Sequence, residues 1–162
     1  MTSSTISIRP ATAQDEAALG RLGAAMVVRH HEFDRRRFIA PPDDLEAGYG
    51  RFLMDELALP GRVVLVAEAD GQVLGYGYGA LEGADWLALR GPAGVIYDLL
   101  VDPEHRGAGL GRRLLEAVVA GLGELGASQF VLFAAYQNEG AQRLFARAGF
   151  RPTMVEMTRD AD

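Results

Sequence analysis

The sequence predicts one α/β domain over residues 1–162, a sheet layered with helices, and three observations predict it. Apolar runs of strand length alternate with helix-period stripes. A glycine-rich turn, Gly107 to Gly111, leads from an apolar strand straight into a helix. The 162 residues are 49% hydrophobic, enough for one sizeable core and no second domain.

The elements follow in order. Ile6 to Arg9 forms an opening strand that Pro10 ends. Thr12, with Asp15 three residues on, caps a helix running to about His30 with Ala18, Leu19, Leu22, Ala25 and Met26 as its apolar stripe. A looser stretch with Arg35-Arg36-Arg37 and Pro41-Pro42 precedes a second helix from Asp43 to Leu57. Arg62 to Glu68 and Gln72 to Leu81 flank Asp70-Gly71 as a hairpin, with Gly75, Gly77 and Gly79 on one face and Tyr76 and Tyr78 on the other. After a loop carrying Trp86, Val95 to Val101 is apolar almost throughout and reads as a central strand covered on both sides. A helix from Gly109 to Leu125, a strand from Gln129 to Tyr136, a helix from Glu139 to Ala148 and a strand from Phe150 to Thr158 complete the order.

Composition narrows the chemistry. The absence of cysteine removes disulfides, thiolate metal sites and cysteine nucleophiles. No apolar stretch is long enough to span a bilayer and the start lacks a signal pattern, so a cytoplasmic protein without membrane contact is expected. The net charge of −6 gives no reason to bind nucleic acid and mildly favours a cationic partner. Every basic side chain apart from histidine is arginine.

The most informative stretch is Val101-Asp-Pro-Glu-His-Arg106-Gly-Ala-Gly-Leu-Gly111-Arg112-Arg113. Backbone N–H groups at a helix start lack internal partners and carry the positive end of the macrodipole, and glycines let a phosphate approach without a Cβ in the way. A dinucleotide fingerprint needs G-x-G-x-x-G, whereas Gly107, Gly109 and Gly111 run G-x-G-x-G; a P-loop needs a lysine that the chain lacks.

The segment resembles the acetyl-CoA pyrophosphate motif of GNAT acyltransferases, [RQ]-x-x-G-x-[GA], with Arg106, Gly109 and Gly111 at the fixed positions. A second block, from Asn138 through Ala141, Leu144 and Phe145 to Gly149-Phe150, matches that family's N-x-x-A-x-x-L-[YF]-x-x-x-G-F pattern, and Ile8-Arg-Pro-Ala-Thr12 resembles its opening strand. The resemblance implies a mixed, mostly antiparallel GNAT-type sheet with helices on both faces and central strands splayed around acetyl-CoA, no metal, and transfer of acetyl to a primary amine within a ternary complex. It implies that Leu99, Leu100 and Val101 offer backbone groups to the pantetheine arm and thioester. It implies that Arg106, Gly107, Ala108, Gly109, Leu110 and Gly111 wrap the pyrophosphate, with Arg112 adding charge, and that Asn138 holds the cofactor from the opposite side. A homodimer is compatible with it.

Direct attack on a thioester needs a base for the ammonium, a donor for the oxyanion and a proton for the thiolate. The base candidate is Asp98, a carboxylate inside the apolar strand, where it must be paired or shifted in pKa. Glu32, Glu82, His30 and His31 are weaker alternatives. The N–H of Leu100 is the donor candidate by position. Relatives place an acidic tyrosine where this chain has Phe145, so Tyr136 or Tyr97 is left as a substitute, or water. Acceptor contacts are expected from Asp43, Asp44, Glu46, Glu82, Asp85, Phe33, Phe38, Tyr49 and Trp86. Arg35-Arg36-Arg37 is either an anion site or a solvated face. The alternative to an enzyme is a module that binds acyl-CoA without turning it over.

Overall fold

The structure, a computed structural model, describes residues 5–161. In chain order it contains β1 (Ser7–Pro10), α1 (Glu16–Phe33), α2 (Leu45–Leu57), β2 (Arg62–Ala69), β3 (Gln72–Glu82), β4 (Ala93–Val101), α3 (Leu110–Glu124), β5 (Phe130–Leu132) and α4 (Glu139–Arg147). Single 3₁₀ turns at Ala13–Asp15 and Pro103–His105 precede α1 and α3. The sheet runs β1-β2-β3-β4-β5, antiparallel as far as β4, with β5 parallel to β4. It is the mixed α/β sheet that the alternation of elements predicts.

Helices cover both faces. On one, Leu19 and Leu22 of α1 and Leu53 of α2 pack against Val64, Val66 and Tyr76. On the other, Leu114 of α3 meets Ala67, Leu74 and Val101, and Leu115, Val118 and Leu122 meet Ile96. Each of these buried leucines contributes about 2 kcal/mol through the apolar area it removes from water. Glycine sets how closely the layers meet. A Cβ on Gly77 would lie 2.6 Å from Val118 Cγ2, so α3 rests on bare β3 backbone, as the one-sided glycine pattern of that strand predicts. A Cβ on Gly20 would lie 2.2 Å from the Glu46 carbonyl oxygen and one on Gly23 only 2.1 Å from the Tyr49 ring. This contact turns α1 relative to the predicted stripe: Gly20, Gly23 and Ala24 are buried and Ala25 is exposed.

Two predicted strands change. The run Gln129 to Tyr136 is a strand only over Phe130–Leu132, because β4 and the chain beyond Leu132 separate. Phe150 to Thr158 forms no strand: the chain is irregular there and exposed from Arg151 onward, since a strand needs a neighbour and β5 remains an edge. Among the described residues no helix is long and apolar enough to cross a membrane.

Candidate functional site

A gap opens beside β4. Its ladder with β5 covers Gly94↔Phe130, Val95↔Val131 and Ile96↔Leu132 and then stops, while β4 stays paired with β3 as far as Val101. The register skips one residue at this point: Tyr78 faces Asp98 and Gly79 faces Ile96, so Tyr97 is the extra residue of a β-bulge. As a result Tyr97 and Asp98 both address the face covered by α2. Tyr97 stacks on Tyr78 with centroids 5.3 Å apart, and Asp98 is held by tyrosines of β3 and α2.

The bulge also fixes which backbone groups face the gap. Asp102 N–H donates to Leu74 O at 2.8 Å, and the Leu100 carbonyl points at β3, since a Cβ on Gly75 would lie 2.6 Å from its oxygen. Backbone direction alternates along a strand, so Leu100 N–H is also turned to β3, opposite Tyr76. Leu100 is therefore corrected as the donor candidate: the backbone groups of Leu99 and the N–H of Val101 face the gap, the Val101 carbonyl being taken by Arg106 Nε.

At the end of β4 the chain makes the glycine-rich turn. Gly107 and Gly109 have φ of 87° and 78°, and a Cβ on either would meet no atom within 4 Å. Gly109 is the left-handed N-cap of the 15-residue α3, and Arg113 N–H, bonded to Gly109 O at 3.1 Å, is the first to close a helical turn. The N–H groups of Leu110, Gly111 and Arg112 thus start the helix with the positive end of its dipole. Open space above Gly107 and Gly109 at the start of α3 fits a phosphate-bearing ligand, and nearby in sequence His105 Nδ1 is buried without a partner. The arginines divide their work. Arg106 Nε donates to Val101 O at 2.9 Å and so ties the turn to the strand, Arg113 donates to Ile6 O at 2.9 Å, and Arg112 is exposed beside Glu116.

Across the gap, Asn138 caps α4, its Oδ1 accepting Ala141 N–H at 3.2 Å, which leaves its NH₂ for another partner. Gln142, unremarked in the sequence, donates from Nε2 to the carbonyls of Ala135 and Tyr136, both at 2.9 Å, and holds the turn that carries the exposed Tyr136. Phe145 faces away, in the apolar cluster with Phe150, Leu132 and Ile96.

Asp98 is 6% exposed, and both its tyrosine partners converge on Oδ2: Tyr49 Oη at 2.6 Å and Tyr76 Oη at 2.8 Å. Oδ1 is left for another donor. Burial pushes the carboxyl pKa up, and the two hydroxyls, with a smaller influence from His30, hold it back only in part. Burial beside this carboxylate also raises both tyrosine pKa values, so the phenols stay protonated donors. The sequence pointed to Asp98 but marked Tyr49 only as an acceptor contact and Tyr76 only as lying on the face of β3 opposite its glycines; the pairing depends on the close approach of α1 and α2.

A second polar group lies next to it. Tyr78 Oη donates to Glu56, Arg62 bridges Glu56 at 2.8 Å and Glu82 at 3.5 Å, and Tyr97 Oη donates to Glu82 at 3.1 Å. Glu56, Tyr78 and Arg62 were missed, and their offsets along the sequence give no signal. Other acceptor candidates fall elsewhere. Asp85 accepts the Leu87 and Ala88 N–H groups and shapes its own loop, Asp44 pairs with Arg51, and Glu32 pairs with Arg29 on the surface of α1. His30 and His31 aim Nδ1 at the carbonyls of Met26 and Phe38, at 2.8 and 3.0 Å. Arg36 and Arg37 pair with Asp160 and Glu156.

Comparison with known proteins identifies the family and the fold. The model of the acetyltransferase (GNAT) family matches residues 27–150. A mycothiol acetyltransferase of Thermobispora bispora is 38% identical over 96 residues, 57% of this chain, and the match spans only 31% of that protein's length. Among solved structures, a mutant of the BH1408 protein from Bacillus halodurans superposes with TM-score 0.81 at 23% identity, covering 96% of this chain and 99% of the other. A predicted acetyltransferase from Clostridium acetobutylicum, solved with acetyl-CoA, gives TM-score 0.74 at 20% identity, covering 95% and 96%. With its family model matched over most of its length, the chain belongs to the GNAT acetyltransferase family.

Proposed function

We propose that this chain transfers an acetyl group from acetyl-CoA to a primary amine by direct attack, with Asp98 as the base. The observation that carries this reading is a carboxylate buried at the bulge of β4, beside the gap, with neutral donors on one oxygen only. The turn from Arg106 to Gly111 and the start of α3 would hold the pyrophosphate, and Leu99, Val101 and Asn138 would flank the pantetheine arm. Leu99 N–H would meet the oxyanion, the charge-matched role of a backbone donor. One proton of the ammonium passes to Asp98 Oδ1, the neutral amine forms the C–N bond, and as the C–S bond breaks the nitrogen gives up its second proton, which replaces the one the thiolate receives; Asp98 then returns its proton to solvent. The thiolate leaves with a proton from Tyr136 or water; a thiol pKa near ~8.5 makes either sufficient. Glu82 and Tyr97 border the approach of the amine and favour a cationic acceptor. Because the relatives act in mycothiol chemistry by name, an amine of that kind heads the panel of acceptors.

Release of CoA from acetyl-CoA with an amine panel tests the proposal, with Asp98→Asn in parallel. Turnover with one amine class that collapses in the variant supports it. Tight acetyl-CoA binding without turnover on any amine would favour a binding module, a reading to which Phe145, half-buried against the core and without a proton to give, lends weight.

A further inference from the structure

The bulge of β4 sets Tyr97 beside Asp98 on one face, and the Tyr97 ring is covered on one side only. Tyr78 stacks against it with centroids 5.3 Å apart and planes at 28°, while Tyr97 stays 46% exposed. At the far end of the ring Tyr97 Oη donates to Glu82 Oε1 at 3.1 Å, and Arg62 approaches that same oxygen at 3.5 Å. Among the described residues Glu82 Oε2 has no partner. An open ring face thus lies between two carboxylates, Asp98 with Oδ1 unpaired and Glu82 with Oε2 unpaired. The charges around the ring do not balance. Arg62 is committed chiefly to Glu56, to which its Nε donates at 2.8 Å, and Arg90, the other cation that bears on Tyr97, is turned to the Gly91 carbonyl at 2.8 Å. Glu82 and Asp98 are left without a matched cation each, at the two ends of one tyrosine side chain.

We propose that Glu82 and the open face of Tyr97 form a second ammonium site, and that the acceptor is a short aliphatic diamine, one nitrogen reacting at Asp98 while the other is held at Glu82. The proposal rests on the transfer reading given above and names the acceptor class for it. An ammonium over a tyrosine ring is attracted by the negative face of the π-system, and a carboxylate oxygen at the edge of the ring adds a charge-assisted hydrogen bond. The two carboxylates are separated by the reach of one tyrosine side chain, a span that a spacer of about four carbons matches. A single amine fills only the Asp98 end and gains neither contact at Tyr97 and Glu82.

The test is equilibrium binding of putrescine, a four-carbon diamine, and of butylamine, its single-amine counterpart, to the full chain saturated with CoA, followed by titration calorimetry. CoA release from acetyl-CoA with the same two amines runs alongside. The expected result is that putrescine binds at least about tenfold more tightly than butylamine to the unaltered chain. That preference vanishes in Glu82→Gln, which still offers an oxygen to Tyr97 and Arg62, and shrinks in Tyr97→Leu. Equal affinity for the two amines, or a preference that survives Glu82→Gln, would overturn the proposal. A preference lost in Glu82→Gln but without turnover of either amine would support the diamine site and overturn the transfer reading alone, so the two failures are told apart.

Discussion

Asp15 and Asp98 are the charged residues buried in the core among the described residues, at 4% and 6% exposure, and they are held in opposite ways. Asp15 receives the guanidinium of Arg9 at 2.8 and 3.0 Å and the Thr12 N–H at 2.8 Å, and its pKa is lowered, the Arg9 hydrogen bonds outweighing burial. Asp98 receives hydroxyls of Tyr49 and Tyr76, and burial wins, raising its pKa. A cation fixes a carboxylate as a permanent anion, whereas two neutral donors leave it able to take up and return a proton. Partner and depth together thus separate a structural carboxylate, which ties β1 to the start of α1, from a deeper one suited to proton transfer.

The largest expected effect is on rate. Asp98→Asn should lower CoA release on the order of 10²–10⁴-fold, the range for a positioned proton acceptor, while thermal melts show no loss of stability because a desolvated charge has been removed. The next largest falls on stability. Asp15→Asn should cost about 2 kcal/mol, less than a fully buried pair because the Arg9 side chain is 35% exposed, with activity per folded molecule unchanged. Chemical denaturation and kinetics of the same sample check both halves of that statement.

The pH dependences should have opposite sign. The Asp15 pKa is depressed, so the stability from its pairing is present above the unfolded value of 3.8 and is lost as pH falls through the folded one. The Asp98 pKa is raised, so its penalty is present above the folded value and is relieved as pH falls toward 3.8. Melts should show any advantage of Asp98→Asn disappearing as pH falls from about 7 to about 4, whereas the gap between the unaltered protein and Asp15→Asn holds over that range and narrows only below the unfolded value of 3.8. The smallest effect belongs to Tyr49→Phe, which removes one donor from Asp98. The acidic limb of its rate profile should move up by about 1 pH unit, as expected for one hydrogen bond to a charged group.

What the sequence revealed and what it concealed follow from range. The one-sided glycines of β3, the turn at Gly107 to Gly111 and the lone carboxylate of an apolar strand are local patterns, and each lies where its pattern placed it. Tyr49 reaches Asp98 from 49 residues away, through a helix contact that Gly20 and Gly23 permit, and no local period announces that. The orientation of Leu100 depends on the register of β3 with β4 and on the bulge at Tyr97, which are properties of a pair of strands. The segment after Phe150 has the composition of a strand without a partner in its own chain, so propensity alone misassigned it.

The most direct measurement is the pH profile of kcat/KM for one accepted amine, comparing the unaltered protein with Asp98→Asn. A proton-accepting Asp98 predicts an acidic limb with an apparent pKa above the ordinary carboxylate range, and a variant that is slow and lacks that limb. An unchanged limb and rate in the variant would show that another group takes the proton and would contradict the assignment of Asp98.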